Sequence, residues 1–417
     1  MTSRERIQAA LEHRQSDKVP VDFGGTSVSG ISASTVYKLR KAFNLPERPV
    51  RVVCSYQLLG EIDEELMEKL DCDCAPIMAY KTMFGFRNEG WKPWTLSDGT
   101  PVLVPEKFND RYEPNGGVFQ YPEGDTSLPA SGYMPGGGFF FDAIIRQDDF
   151  DEDNPSVADN TEEFVRISDD ELRYAQERAD YLYNNSERAI IGGISGTALG
   201  DISMVPATWM KHPRGIRDVA EWYMSMASRQ DFLKEIFDRQ TEIALENLKL
   251  YHQAVGDKIT VLYLCGADFG SQNAPMCSTQ LFDAVYLPYY KRMTAWIHGN
   301  TKWKVFKHTC GSIMPLIPSL IEAGIDILNP VQNSVVNMDP QELKNKFGDT
   351  LTFWGGGVDT QKTLPFGTPE EVYEQVKERI SIYNRSGGFV FNTIHNTLAK
   401  VPPENFLAML KAIKEFR

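Results

Sequence analysis

The sequence predicts a single (β/α)₈ barrel over residues 1–417, a TIM-barrel type of α/β fold, with a β-rich insertion after the second strand. Eight short runs of β-branched and aromatic residues occur along the chain, and in its second half they alternate with segments of helical periodicity. Strands that are joined through helices by short links form a parallel sheet. Eight such units are the number that closes a barrel.

The runs that predict strands are residues 18–23, 74–80, 189–195, 258–264, 304–309, 324–330, 351–357 and 388–395. The helical segments between the later runs are residues 169–184, 231–254, 281–299, 315–323 and 369–384. The helix over 315–323 illustrates the pattern, because its apolar residues share one face and Gly324 is placed to end it. A doubly wound open sheet is the alternative fold, but no G-x-G-x-x-G follows the first strand.

Residues 84–142 interrupt this alternation of strands and helices. The segment contains Asp98-Gly99 and Asn115-Gly116 turns between β-rich runs, which is typical of hairpins. It continues into a glycine-rich loop beside three phenylalanines at 139–141, which hints at an apolar or aromatic ligand. Because the segment follows the C-terminal end of the second strand, we expect it to lie over the mouth of the barrel.

The composition excludes several classes of partner. The formal net charge of −14, with no local stripe of lysine and arginine, disfavours binding to nucleic acid or to anionic lipid. No stretch approaches the roughly 20 apolar residues that span a bilayer, and the first 15 residues lack the features of a secretory signal. Six scattered cysteines do not form a disulfide framework. We therefore expect a cytoplasmic protein with no membrane or nucleic-acid partner.

A possible metal site begins at the end of the strand over 304–309, in the segment WKVFKHTCGSI. Alternate residues of a strand face the same side, so Phe306, His308 and Cys310 share one face. If Phe306 points into the barrel, His308 and Cys310 line the rim, where barrel enzymes hold their active sites. The pair is a weak signal alone, because a buried cysteine or histidine is more often a packing residue than a ligand.

The last predicted strand supplies a third candidate ligand. In residues 388–395, His395 shares an alternating face with Phe389, Phe391 and Thr393, and it reaches the rim at the strand end. Three such ligands with a fourth position open are how proteins hold catalytic zinc. The alternative is that His395 only hydrogen-bonds a loop. The remaining histidines lie in helical stretches or lack neighbouring ligands: His13, His212, His252 and His298.

Polar residues that follow the predicted strands are candidates for substrate binding. Each is equally suited to cap a helix or to form an Asx turn. They are Asp22, Asp268, Gln272, Asp359, Gln361, Asn392 and Asn396.

The chain resembles the uroporphyrinogen decarboxylase superfamily over essentially its whole length, and within it the branch of cobalamin-dependent methyltransferases. The resemblance implies a (β/α)₈ barrel, in agreement with the strand count. It is carried by the segments SRERIQAALEHRQSDKVPVDFGG, GADFGSQNAP, FKHTCGSIMPLIPSLIEAGIDILNPVQ, WGGGVDTQKTLPFGTPEEVYEQV and FNTIHNTLAKVPPENFLAML.

One departure separates this chain from the true decarboxylases of the superfamily. Those enzymes carry an arginine-containing signature after the first strand, which holds the carboxylates of the substrate. Here the same place reads DFGGTSVSG, and no arginine occurs between Arg14 and Arg40. A tetra-acidic substrate would be poorly matched to this acidic chain, so porphyrinogen decarboxylation is disfavoured.

The methyltransferase branch holds zinc through His-x-Cys and a later cysteine. His308 and Cys310 match the first two ligands, and His395 stands where relatives have the cysteine. The resemblance thus implies catalytic residues His308, Cys310 and His395 in a zinc-dependent transfer of methyl between a small molecule and the cobalt of a corrinoid. Because the chain ends at Arg417 directly after a helix, we expect a separate corrinoid protein as partner, and a monomer or homodimer by analogy.

Histidine in place of cysteine leaves the zinc with more net positive charge. This favours stabilising a departing alkoxide or phenoxide over activating a thiolate. Two other functions remain open from the sequence. One is a metal-free decarboxylase-like lyase acting on a smaller acid, in which His308 and His395 serve as acid/base or anion-holding groups. The other is a non-catalytic barrel that binds a corrinoid or tetrapyrrole.

Overall fold

The computed structural model describes all 417 residues and has α/β architecture. The strands are β1 (Val50–Cys54), β2 (Leu59–Gly60), β3 (Cys74–Pro76), β4 (Lys92–Thr95), β5 (Pro101–Val104), β6 (Val118–Gln120), β7 (Gly132–Met134), β8 (Asp142–Ala143), β9 (Ala189–Gly193), β10 (Val261–Cys265), β11 (Lys304–His308), β12 (Ile327–Asn329), β13 (Thr352–Trp354) and β14 (Phe389–Val390).

The helices are α1 (Ser3–Leu11), α2 (Ala33–Ala42), α3 (Glu64–Leu70), α4 (Asp169–Asn185), α5 (Val219–Ser228), α6 (Gln230–Val255), α7 (Thr279–Val285), α8 (Leu287–Asn300), α9 (Ile317–Glu322), α10 (Pro340–Phe347), α11 (Thr363–Phe366), α12 (Pro369–Tyr383) and α13 (Pro403–Phe416). Short 3₁₀ turns occur at Pro122–Gly124, Ala158–Asn160, Gly256–Lys258 and Met314–Leu316. None of the helices combines the length and the apolar character that crossing a membrane requires.

Seven strands form one parallel sheet in the order β14-β13-β12-β11-β10-β9-β3. From β9 onwards each strand pairs with the next strand of this sheet along the chain, without the reversal of order that defines a doubly wound sheet. The register pairs Phe306 with Ile327 and His308 with Asn329. The C-terminal ends of all seven strands therefore lie along one edge of the sheet.

A short extended segment joins the two outer strands of this sheet. Val21 forms a parallel bridge with Phe391, just after β14, and the backbone N–H of Asp22 donates to the Phe391 carbonyl at 2.9 Å. On its other side, the Val21 carbonyl accepts from the N–H of Asp73 at 2.7 Å, just before β3. This segment is the predicted first strand. It lies between β14 and β3 and is hydrogen-bonded to residues next to both of them.

Two apolar clusters surround the sheet on its two faces. The larger one packs the sheet against the helices, and the smaller one lies on the inner face. The inner cluster includes Phe306, Trp354 and Val390 of three strands, together with Ile7 and Leu11 of α1. Helix α1 therefore fills the N-terminal end of the interior, and the C-terminal end is left for polar side chains.

The β-rich segment contains antiparallel hairpins. The Asp98-Gly99 turn joins β4 and β5, and β5 also pairs in parallel with β1. Strands β6, β7 and β8 form a separate antiparallel sheet.

Several predicted elements differ from the observed ones. The strand expected over 18–23 forms only an isolated bridge at Val21, and the strands expected over 74–80 and 351–357 end at Pro76 and Trp354. The helix expected over 281–299 is two helices, because Pro288 lies in the first turn of α8, where its ring is tolerated, but cannot continue α7. The helix expected over 315–323 is a 3₁₀ turn followed by α9. The strand expected over 388–395 ends at Val390. Phe391 keeps only an isolated bridge to Val21, and Ile394 then donates to the carbonyl of Val358 at 3.0 Å.

The N-terminal ends of β11 and β12 are joined by Asp326, which makes a testable contribution to stability. Its carboxylate accepts hydrogen bonds from His298 Nε2 at 2.8 Å and the Val305 N–H at 2.8 Å, and Lys304 Nζ lies 3.1 Å away. Burial raises the pKa of this carboxyl, but the His298 bond, the Val305 bond and the charges of His298 and Lys304 together lower it below its usual value.

Replacing Asp326 by asparagine is expected to reduce the free energy of unfolding by about 1–3 kcal/mol at pH 7. Because the folded pKa is depressed, this stabilisation is present above the unfolded pKa and is lost as pH falls through the folded value. Urea unfolding should therefore show a smaller difference between wild type and D326N at pH 3 than at pH 7. The matched control is D231N, since the Asp231 side chain is 96% exposed. An equal difference at both pH values would contradict this assignment.

Candidate metal centre

Three side chains converge at the C-terminal edge of the sheet. The ligand atoms of His308, Cys310 and His395 all lie within 4.8 Å of one another. The Nε2 atom of His308 is 3.3 Å from the Sγ atom of Cys310, and the two histidine rings are 5.3 Å apart between centroids. Two ligands of one tetrahedral zinc lie roughly 3.3–3.8 Å apart, given zinc–ligand bonds of about 2.0–2.3 Å. The donor set and the 3.3 Å between His308 and Cys310 therefore fit zinc, and the His395 ligand atom lies within 4.8 Å of both.

The orientation of His308 is fixed by Asn329. His308 is the last residue of β11, and its Nδ1 atom lies 2.6 Å from Oδ1 of Asn329, the last residue of β12. The Nδ2 atom of Asn329 donates to the Trp354 carbonyl at 2.8 Å, so its Oδ1 atom must accept. Nδ1 of His308 therefore carries the proton, and the lone pair of Nε2 faces Cys310. This is the arrangement by which a second residue holds a metal-binding histidine in the correct tautomer.

Cys310 is held by two interlocked loops, which follow β10 and β11. Its N–H donates to Oδ1 of Asp268 at 2.7 Å. The next residue, Gly311, has φ of +91°, and a Cβ atom there would lie 2.2 Å from the carbonyl carbon of Gly270. Only glycine fits this approach, which sets the direction of the chain directly after Cys310.

His395 lies in the loop after β14 and not in the strand that the sequence predicts. Its backbone carbonyl accepts from the Thr393 hydroxyl. Its ring makes no hydrogen bond within the protein and lies against His308 and Cys310. The ring therefore does not serve to fix a loop, and a nitrogen lone pair remains for a ligand.

Burial determines the protonation states of these groups. It lowers the pKa of His308 to about 3, against the opposing effect of the Asn329 hydrogen bond. Burial, followed by the proximity of His308, lowers the pKa of His395 to about 4. Burial, followed by the charge of Asp268, raises the pKa of the Cys310 thiol well above its usual value. Both imidazoles are neutral at pH 7 and can bind a cation without losing a proton, whereas the thiol must lose one.

Comparison with known proteins decides the family. Residues 157–416 match the family model described as uroporphyrinogen decarboxylase (URO-D). The chain belongs to the uroporphyrinogen decarboxylase family. The matched residues include β9 to β14 and all three candidate metal ligands.

Two further similarities concern methyltransferases. Over 210 residues the chain is 25% identical to a methylated-thiol–coenzyme M methyltransferase of Methanosarcina mazei, a match that covers 50% of this chain and 51% of that protein. The chain thus spans about half the length of this curated relative. A solved structure of a methyltransferase from Methanosarcina mazei is 15% identical, with a TM-score of 0.52 over 100% of this chain and 99% of that one. This URO-D family member therefore shares the fold of that methyltransferase.

Among the predicted substrate-binding residues of this URO-D family member, only Asp268 contacts the metal ligands. Its Oδ1 atom, which accepts the Cys310 N–H, is 3.7 Å from Nε2 of His308. Asp22 is buried and accepts from the Gly25 N–H at 2.7 Å and from Nε1 of Trp354 at 2.9 Å. Asp22 therefore lies on the inner side of the sheet, where it is bonded to the Trp354 side chain of β13.

The other predicted substrate-binding residues do not hydrogen-bond to the three ligands. Asn392 and Asn396 are buried and bond backbone groups of residues 22–30, so they connect the loop after β14 to the first loop. Asp359 accepts from the N–H groups of Gln361 and Lys362 in an Asx turn. The side chains of Gln272 and Gln361 are exposed. Their role in substrate binding remains a prediction.

Four residues near the centre were missed by the sequence analysis: Asn329, Lys307, Asp201 and Tyr263. Lys307 is buried, and its ammonium donates to the carbonyls of Ala267 and His308. Asn329 had a recognisable signal, because it is a polar residue at the C-terminal end of the strand next to His308. Asp201 had none, because it lies within the long connection from β9 to α5.

Replacing Asn329 by leucine is expected to weaken zinc binding about 10- to 100-fold, because His308 would lose the acceptor that fixes its tautomer. Competition with a fluorescent zinc chelator measures this change. The matched control is N247L, since buried Asn247 also accepts one backbone N–H, from Ile167 at 2.8 Å, and donates to one carbonyl, of Val165 at 2.9 Å. Equal zinc affinity in N329L and wild type would refute the positioning role.

Proposed function

We propose that this chain is a zinc-dependent methyltransferase, which moves a methyl group between a small molecule and the cobalt of a corrinoid carried by a separate protein. The observation that carries the proposal is the convergence of His308, Cys310 and His395 within 4.8 Å at the C-terminal edge of the sheet. The similarity to a methylated-thiol–coenzyme M methyltransferase supports methyl transfer as the reaction.

The three ligands would hold zinc with a position left for the substrate. Bound zinc would act as a Lewis acid on the oxygen or sulfur next to the methyl group. Asn329 would keep His308 in its ligating tautomer, and Asp268 would hold the backbone of Cys310 in place. With two neutral imidazoles and one thiolate, the zinc would retain net positive charge, which favours stabilising a departing oxygen.

The charges at the centre disfavour a lyase that binds a small acid. Because burial lowers the pKa of His308 to about 3 and that of His395 to about 4, neither imidazole is a cation at neutral pH. Asp268 adds a negative charge 3.7 Å from His308. A substrate carboxylate would meet the Asp268 carboxylate, and the nearby Lys307 ammonium already donates to the carbonyls of Ala267 and His308.

The proposal also concerns the segment over the barrel mouth, the cellular compartment and the oligomeric state. We propose that residues 84–142 cover the mouth. This is supported by the hydrogen bond from Phe141 N–H to the Tyr56 carbonyl at 2.8 Å and by the ion pair of Glu123 with Lys211 at 3.0 Å. Residue 211 lies in the connection that follows the C-terminal end of β9. All six cysteines are free, which supports a reducing, cytoplasmic compartment. A monomer or a homodimer would present the mouth to the corrinoid protein.

Elemental analysis and a methyl-transfer assay test the proposal. The purified protein is expected to hold one zinc per chain and to form methylcobalamin from cob(I)alamin and a methoxylated or methylthiolated donor, followed by the absorbance of the corrinoid. Absence of stoichiometric zinc, together with no effect of H308A, would overturn the proposal. Stoichiometric zinc without methyl transfer across a broad donor panel would indicate a binding protein.

A further inference from the structure

A second group of polar side chains lies beside the metal ligands, in the interior of the barrel. Tyr263 of β10 faces inward, with its ring 5.6 Å from that of Phe306, its partner in register on β11. A Cβ atom built on Gly266 would lie 2.6 Å from the Tyr263 hydroxyl oxygen and 3.4 Å from Oδ2 of Asp201. The two oxygen atoms therefore border the same space above Gly266, and only a glycine leaves that space open.

One oxygen atom of Asp201 has no partner in the protein. Its Oδ1 atom accepts from the Ser203 N–H at 3.0 Å and from the Ser203 hydroxyl at 2.7 Å. Its Oδ2 atom accepts no hydrogen bond, although Asp201 is only 6% exposed. No donor of the protein occupies this oxygen atom, so it is available to a bound ligand that donates a hydrogen bond.

The charge of this space is negative. Burial, followed by the charge of Asp201, raises the pKa of the Tyr263 hydroxyl well above its usual value, which shows how near the two groups lie. Burial, and to a smaller extent the charge of Asp268, raises the pKa of Asp201, whereas the hydrogen bonds from Ser203 and the charge of Lys307 oppose this shift. No lysine or arginine forms an ion pair with either carboxylate.

The buried cation nearest in sequence, Lys307, forms no ion pair with these carboxylates, although its charge lowers the pKa of Asp201. Lys307 lies on the opposite face of β11 from His308. Its ammonium donates to the carbonyls of Ala267 and His308 and lies 5.1 Å from the centre of the Phe269 ring. The space above Gly266 is therefore lined by the Asp201 carboxylate and the Tyr263 hydroxyl, and Asp268 adds a second carboxylate beside His308.

We propose that Asp201, Tyr263 and Asp268 form a substrate subsite for a protonated amine, so that the methyl donor is a small cationic ether or thioether. The ammonium would donate to Oδ2 of Asp201 and to the hydroxyl oxygen of Tyr263. The methyl end of the same molecule would then lie towards His308, Cys310 and His395. The assignment of the methyl end rests on the proposed function, whereas the preference for a cation does not.

Three probes of matched size test the subsite: 2-methoxyethylamine, 2-methoxyethanol and methoxyacetate, which are a cation, a neutral molecule and an anion at pH 7. Calorimetry on the zinc-bound protein is expected to show the amine binding about tenfold or more tightly than the alcohol, and the acid binding most weakly. D201N should remove most of this preference. Y263F should weaken binding of the amine less than D201N does, because the Asp201 carboxylate remains as an acceptor.

The control variant is D218N. Asp218 also accepts the backbone N–H two residues ahead, from Ala220 at 2.7 Å, but it caps α5 and has no place in the subsite. D218N should keep the preference for the amine. If D201N does not fold, the relative affinities of the three probes for wild type and Y263F are sufficient to test the subsite.

The outcomes separate the subsite from the proposed function, because no corrinoid is present in the binding experiment. Equal affinity for the three probes, a preference unchanged in D201N, or binding of none of them would overturn the subsite. Methyl transfer from neutral or anionic donors alone would also overturn it and leave the methyltransferase intact. A clear preference for the amine without methyl transfer would overturn the methyltransferase and leave the subsite.

Discussion

Replacing Cys310 by alanine is expected to lower the affinity for zinc about 100-fold or more and to abolish methyl transfer. Zinc binding by a full set of protein ligands is worth about 10–16 kcal/mol, so the loss of one ligand removes about 3 kcal/mol or more. Cys310 is the ligand of the three that becomes an anion on binding, so its loss also leaves the dication with only neutral imidazoles. Competition with a chelator measures the affinity, and elemental analysis measures the zinc that remains.

The matched control for this substitution is C277A. Cys277 is also a free, largely buried cysteine, but it precedes α7 and is not among the converging ligands. Removing the Cys277 thiol should leave the zinc affinity unchanged. An unchanged zinc affinity in C310A would show that Cys310 is not a ligand, and the assignment of the centre to His308 and His395 would fall with it.

The parallel sheet could be predicted because its strands are short, buried on both faces and separated by amphipathic helices. Residues 304–308 show this directly, since Val305 packs with the outer cluster and Phe306 with the inner one. Local breaks were harder to foresee. The break at Pro288 could be read from the sequence, because a proline is tolerated only in the first turn of a helix. The end of β14 could not, because it depends on hydrogen bonds to β13 and to residues 20–22.

The convergence of the three candidate ligands could be predicted for the same reason as the strands. Alternation placed His308 and Cys310 on one face, and this inference did not need the strand to continue through Cys310. His395 was predicted from a strand that ends five residues earlier, yet it still reaches the centre, because Ile394 is bonded to Val358 in the neighbouring loop. Asn329 and Asp201 act through contacts with residues distant in sequence, which periodicity within a single strand does not reveal.

Two substitutions of His395, by alanine and by cysteine, are expected to affect the zinc affinity differently. H395A should weaken binding about 100-fold, because the ring has no other partner and contributes only as a ligand. H395C should keep zinc bound at least as tightly as wild type, because a thiolate is a stronger, anionic donor at the same position. H212A is the control, since the His212 side chain is exposed and outside the centre.

H395C should nevertheless slow methyl transfer from an ether, by about tenfold. A second thiolate would lower the net positive charge of the zinc and hence its ability to stabilise a departing oxygen. Methyl transfer to or from a thiol should be slowed less, because a thiolate carries negative charge without needing the zinc to stabilise it. Measuring zinc affinity and both reactions on one protein separates ligation from reactivity. An H395C enzyme that holds zinc and transfers methyl from the ether at the wild-type rate would show that the histidine is only a replacement ligand.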